Sequence, residues 1–238
     1  MNDAVLLWSY LAQEPLLWLT TTLVAYTISD WAAGKAGRHA LANPVLIAVI
    51  LIALVLWITQ TPYATYFEGA QFVHFMLGPA TVALALPLYD NLPKVKAALV
   101  PMIAALFAGS LTAIVSALGI AKAMGITGET LMSLSPKSAT APVALGVSEA
   151  IGGQPTLTAV LVILTGISGA IIATPMLNAL KITDWRARGF AVGVAAHGIG
   201  TAHAFRINST AGAFSGIGMG LNAVLTALLA PLIARLFL

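Results

Sequence analysis

The stretch TLMSLSPKSATAPVALGVSEA, residues 130–150, decides how this chain is read. Its ends are apolar, and its middle holds Ser135-Pro136-Lys137-Ser138 followed by Thr140 and Pro142: hydroxyls, helix breakers and a cation in one short run. Within a bilayer a lysine is tolerated where it lines a water-filled cavity, pairs with an acid or meets an anionic ligand, so such a group is a functional hypothesis by default. The other reading is that Lys137 snorkels to the interface from a short loop.

The composition around that stretch leaves no soluble alternative. Of 238 residues 59% are hydrophobic and 8% charged, against roughly 25% charged in soluble domains, and the mean hydropathy is +0.95. The chain reads as a polytopic, all-α membrane protein forming a single transmembrane domain over residues 1–238. Its eleven Lys and Arg are spread over several loops and make no stripe for nucleic acid. The absence of cysteine excludes disulfides and thiolate metal sites, and no metal or cofactor is expected. Met1 to Glu14 carries no Lys or Arg and no small-residue cleavage site, so no signal peptide is expected there.

Runs long enough to cross about 30 Å of hydrocarbon lie at Leu16 to Ala33, Pro44 to Gln60, Lys96 to Ala121, Thr156 to Leu180 and Ala211 to Phe237. Further apolar segments are interrupted by helix breakers: 71–89 at Gly78-Pro79, 130–150 at Ser135 to Ser138, and 188–206 at His197-Gly198-Ile199-Gly200. Backbone freed at such breaks needs protein or water as partner; a simple kink is the alternative at any one of them.

Basic residues cluster at Lys35 with Arg38, at Lys94 with Lys96, and at Lys181 with Arg186 and Arg188. All three clusters fall on the cytoplasmic side, as the positive-inside rule asks, if 130–150 enters and leaves on one face. The expectation is therefore seven spans plus one re-entrant hairpin, with eight spans as the alternative. Residues 44–121 and 156–237 then form inverted repeats, each a long helix, a broken helix and a long helix. The breaks share Gly78-x-x-Thr81 and Gly198-x-x-Thr201, the pattern of a midplane site in a secondary transporter. A small carboxylate would meet Lys137 and the N–H groups of a half-helix starting near Ser138, with Ser135, Ser138 and Thr140 as neutral donors. His197 and His203 could carry a coupling proton, whereas His74 reads as structural. The tandem Gly212-x-x-x-Gly216-x-x-x-Gly220 makes a smooth helix face for packing or a subunit contact, and Asn208-Ser209-Thr210 fits a glycosylation sequon to which no role is assigned.

At these motifs the chain resembles the LrgB/CidB family, to which a plastid glycolate/glycerate translocator also belongs. The resemblance rests on Asn43-Pro44, the segment Leu77-Gly78-Pro79-Ala80-Thr81 with Pro87-Leu88-Tyr89, Ser135-Pro136-Lys137-Ser138, Ala196-His197-Gly198-Ile199-Gly200-Thr201-Ala202, and Gly212-Ala213-Phe214-Ser215. It implies two descriptions: a secondary transporter of small monocarboxylates such as pyruvate, glycolate or glycerate, favoured by the broken helices, and an antiholin-like regulator of murein hydrolase export and autolysis. It also implies a small LrgA/CidA-type membrane partner, a homo-oligomer and a bacterial cytoplasmic membrane. Relatives tend to have Arg where His203 stands and an acid where Ala211 stands. An intramembrane hydrolase on the Ser135/Ser138–Lys137 pair is disfavoured, because so short a spacing rarely aims both groups at one atom, and no phosphate-binding loop or hydrolase motif is present; the protein is not expected to be an enzyme.

Overall fold

The computed structural model describes residues 14–37, 42, 44–76, 79, 89 and 92–237, and the described elements are all helical. Contacts divide the chain into two units, residues 1–83 and 84–238.

In the first unit, α1 (Pro15–Lys35), α2 (Pro44–Thr59) and α3 (Tyr63–Phe75) pack together. Proline opens α1 and α2, where its missing N–H costs nothing. Trp18 is buried and meets Tyr66 edge-on, with ring centroids 5.9 Å apart. Gly69 lets α3 close on α1, since a β-carbon there would meet the Pro15 carbonyl oxygen.

The second unit holds α4 (Leu92–Ala97), α5 (Leu99–Ala123), α6 (Gly128–Leu134), α7 (Ala141–Ala150), α8 (Pro155–Ala179), α9 (Trp185–Ile207) and α10 (Ser209–Ala234). Three of these, α5, α8 and α10, are long and apolar enough to cross a membrane. On α5 the buried residues Met102, Leu106, Ser110, Ile114 and Leu118 recur every four positions, one face of a helix, while Ile103, Phe107, Leu111 and Val115 stay exposed. An apolar outer face of this kind needs lipid around it.

Side-chain pairs fix the directions. Met102 clusters with Phe214, Ser110 bonds Asn222, Leu118 clusters with Ala230, and Lys122 Nζ reaches the Phe237 carbonyl, so α5 and α10 run in parallel. Helix α8 runs the other way. Its Thr158 meets Ser133 and Ser148 near the Lys122 end, and its Leu177 clusters with Val192 and Ala211 near the Lys94 end.

Residues 128–150 form the hairpin that charge balance predicts. Helix α6 descends from the Lys122 end, the Ser135–Thr140 loop turns, and α7 returns so that Val147 rejoins Leu131 and Met132 in one cluster. Thr158 Oγ1, 3.0 Å from the Ser133 carbonyl and 2.7 Å from Ser148 Oγ, ties both arms to α8. Helix α7 begins at Ala141, three residues later than expected, with Thr140 at the N-cap position and no side-chain cap bond.

The segment 188–206, expected to cross, does not. Its break lies at Ala196–His197 and not on the glycines: His197 has φ 40° and ψ −134°. Beyond it the chain reverses, and a β-carbon on Gly200 would meet Val192 and Ala196. Arg188, Gly189, Ile207 and Ala211 consequently line one crevice. Helix α10 then runs in parallel with the first arm of α9, Gly189 lying against Ala211 and Gly193 against Ser215. A 19-residue apolar run fits one crossing or two half-crossings equally well, and contacts with α8 and α10 select the second. Packing within the chain uses only part of the glycine face on α10. Gly212 packs on Phe205 and Gly218 on Phe190, but among the described residues a β-carbon at Gly216 or Gly220 would meet nothing within 4 Å. Asn208, the sequon residue, is the N-cap of α10, its Oδ1 accepting from Ala211 N at 3.1 Å.

With α9 folded back, Lys94, Lys96, Lys181, Arg186, Arg188 and Arg206 share one end, and Lys122 and Arg235 the other. The natural chain lacks cysteine, so single Arg186→Cys, Arg206→Cys and Lys122→Cys variants can be labelled in sealed vesicles with an impermeant maleimide. Positions 186 and 206 should label from one side and 122 from the other; if 206 labels with 122, α9 crosses.

Candidate functional site

A cavity of about 610 Å³ lies within the second unit. It extends from Ala97, Asp184 and Arg186 at the Lys94 end to Ala113, Lys137 and Ser138 at mid-length of α5. Ala97 at the end of α4 and small residues at four-residue spacing on α5 (Pro101, Ala105, Gly109, Ala113) form one wall; Phe190, Val194 and Phe214 form the other. At the mouth Arg186 Nε lies 3.1 Å from both carboxylate oxygens of Asp184, and Nη2 lies 2.6 Å from Oδ2. The side-chain hydrogen bond from Arg186 holds the Asp184 carboxyl down to about 2, so the pair stays ionised at any physiological pH. Asp184 Oδ1 also caps α9, accepting from Arg186 N at 2.8 Å.

The inner end of the cavity is the tip of the 128–150 hairpin. Pro136 is fully buried, Ser135 and Ser138 are buried, and Lys137 is partly so. Among the described residues Lys137 has no hydrogen-bond or ion-pair partner, and Ser135 Oγ is buried with none. Asn222, 1% exposed, anchors the tip: Nδ2 donates to the Ser138 carbonyl at 3.1 Å, and Oδ1 accepts from Ser110 at 2.6 Å. Asn222→Leu should leave both partners unpaired and cost about 2–4 kcal/mol, at about 1–3 kcal/mol for each buried orphan. A thermal melt in detergent checks this, and an unchanged melt would show that the tip is held otherwise.

The tip of α9 comes to the same level from the opposite end. The buried His197 has its Nε2 2.8 Å from the Val162 carbonyl oxygen; a carbonyl only accepts, so Nε2 carries the proton. Its positive φ falls in a region unfavourable to residues with a β-carbon, a strain of about 1–3 kcal/mol that the surroundings must offset. Gly166 and Gly169 of α8 make room, since β-carbons there would strike the His197 ring and the Ala196 methyl. Thr201 Oγ1 donates to the His197 carbonyl at 2.7 Å and lies 2.9 Å from Ser215 Oγ.

The structure thus brings Lys137, Ser138, His197 and Thr201 towards one level of the unit. Gly198 and Gly200 serve the turn of α9, and Thr140 begins α7 away from the cavity lining. His203 is separated from the group: the folded-back arm carries it to the crevice with Thr174, Leu177 and Arg188. Gly78 and Thr81, with Asn43 and Asp90, lie outside the described residues, and Pro79 is exposed in the first unit. Val162, Gly166, Gly169 and Gly193 escaped the sequence reading, and Asn222 stood out there only as a neighbour of the α10 glycines, not as an anchor of the tip. The spacings Gly166-x-x-Gly169 and Gly189-x-x-x-Gly193 are the signal that points to the glycines.

A family model described as "LrgB-like family" matches residues 22–236. This chain belongs to the LrgB family. The LrgB chain is 34% identical to the "Holin-like protein CidB" of Staphylococcus aureus strain N315 over 237 residues, 100% of both chains. It is 34% identical over 224 residues to the protein of that name from Staphylococcus epidermidis strain ATCC 12228, covering 94% of this chain and 97% of that one. Against the "Uncharacterized protein YwbG" of Bacillus subtilis strain 168 it is 39% identical over 189 residues, 79% of this chain and 84% of the other. No solved structure matches this LrgB chain.

Proposed function

We propose that this LrgB chain acts as a holin-like membrane regulator of the CidB kind, working in a bacterial cytoplasmic membrane with a small LrgA/CidA-type protein to control murein hydrolase export and autolysis. The observation that supports this reading is the end-to-end likeness to staphylococcal proteins called holin-like. The test is detergent-induced autolysis, with zymography of secreted hydrolases, in the chain's own bacterium with the gene deleted. Deletion should change the lysis rate several-fold and shift the hydrolase pattern, and the wild-type chain should restore both; an unchanged rate and pattern would sink the reading.

The expectation of a secondary transporter for small monocarboxylates is the second reading, and one observation favours it: a cavity running between two hairpin tips to Lys137, which has no partner among the described residues. In this reading α5 with the 128–150 hairpin and α8 with the 185–207 hairpin are inverted repeats, replacing the pairing of 44–121 with 156–237. Neither carries a phosphate-binding loop, so flux would follow a gradient. A homo-oligomer surrounded by lipid is part of both readings.

A further inference from the structure

We infer that the cavity is built for a monocarboxylate with an aliphatic body, in preference to two- and three-carbon hydroxy acids and to dicarboxylates; this rests on the transport reading. The charge pattern sets the valence. Three charged residues line the cavity, and two of them, Asp184 and Arg186, neutralise each other at the mouth. That leaves Lys137 for one carboxylate, and a second carboxylate would enter an apolar space without a counter-charge.

The walls set the body. Between mouth and tip they are Pro101, Ala105, Phe190, Val194 and Phe214, side chains with no hydrogen bond to offer, and Ser138 beside Lys137 supplies a hydroxyl at the anionic end. Hydroxyls along a ligand's chain would lose water there and gain nothing, whereas each methylene gains from burial. The volume of about 610 Å³ leaves room for such a body.

The experiment is uptake at pH 7 by proteoliposomes of the full chain, using labelled 4-methyl-2-oxopentanoate, pyruvate, glycolate and succinate. The branched six-carbon acid should be favoured over pyruvate by at least about tenfold in uptake efficiency, the lower edge of what one buried methylene group discriminates, and succinate should be excluded. Ala105→Phe, which fills the wall, should shift the ratio of the two oxo acids at least about tenfold towards pyruvate. Asp184→Asn keeps the helix cap and frees Arg186, and should admit succinate. In the wild-type chain, unlabelled isovalerate should inhibit pyruvate uptake more strongly than glycolate does, a comparison that needs no variant to fold. Pyruvate or glycolate moving as well as or better than the branched acid overturns this inference and leaves the transport reading standing. No acid moving overturns both.

Discussion

Gly193→Ala is expected to lower the melting temperature of the detergent-solubilised protein by about 6–12 °C, while Gly216→Ala, one helix away, leaves it unchanged or slightly raised. The first arm of α9 lies so close to α10 that a β-carbon on Gly193 would meet the Ser215 carbonyl oxygen. That atom belongs to a helix backbone and cannot rotate aside. Overpacking a tight core costs about 1–3 kcal/mol where side chains can adjust, and here the upper end applies. For a chain of this size each kcal/mol moves the melt by about 2–4 °C. At Gly216 a β-carbon meets nothing within 4 Å among the described residues, so alanine there brings only its better helix propensity. Equal melts for the two variants would show that α9 and α10 are not packed in parallel through Gly193.

Lys137→Met is expected to abolish carboxylate uptake, by a factor of about 10–100 or more, without lowering stability. Methionine keeps much of the length and apolar stem and removes the charge. A charged hydrogen bond contributes about 1.5–3 kcal/mol to holding a ligand, and every 1.4 kcal/mol is tenfold in affinity. With no ligand bound, the same ammonium is a partly buried cation without a partner among the described residues, a desolvation cost that methionine removes. A variant that melts at the same or a higher temperature and no longer transports would mark Lys137 as a residue kept for function against stability. The autolysis assay then separates the two proposed roles. If Lys137→Met restores normal lysis to the deleted strain, regulation does not run through the anion site; if it fails there too, transport is the means of regulation. Unimpaired uptake would return Lys137 to the snorkelling reading.

The long helices were legible because hydrocarbon thickness sets a length and apolar residues meet it. The runs Pro44 to Gln60 and Thr156 to Leu180 appear as Pro44–Thr59 and Pro155–Ala179, within a residue or so at either end. The hairpin at 130–150 was legible through charge: only a segment that returns to its own side leaves the three basic clusters together. The same reasoning extended to Arg206 points to the second hairpin, because a crossing from Arg188 would put Arg206 on the opposite side. Glycines at 198 and 200 drew attention away from the break itself, which the structure places on Ala196 and His197, the histidine at a positive φ that residues with a β-carbon ordinarily avoid. Gly166 and Gly169 on a different helix make room for that turn, and no local pattern around His197 announces them.

The sequence by itself determined that the protein is helical and lies in a membrane, which family it belongs to, and that a cation sits at a helix break. These follow from composition, length and charge, quantities that each segment carries alone. The tertiary structure decided that α9 turns back, that the glycines at 189, 193 and 218 rather than 216 and 220 bring helices together within the chain, and that Lys137 faces the larger cavity while His203 lies in a separate crevice. Such outcomes depend on which backbones approach within a β-carbon's width and which buried hydrogen bonds, such as Asn222 to the Ser138 carbonyl, find partners 84 residues apart.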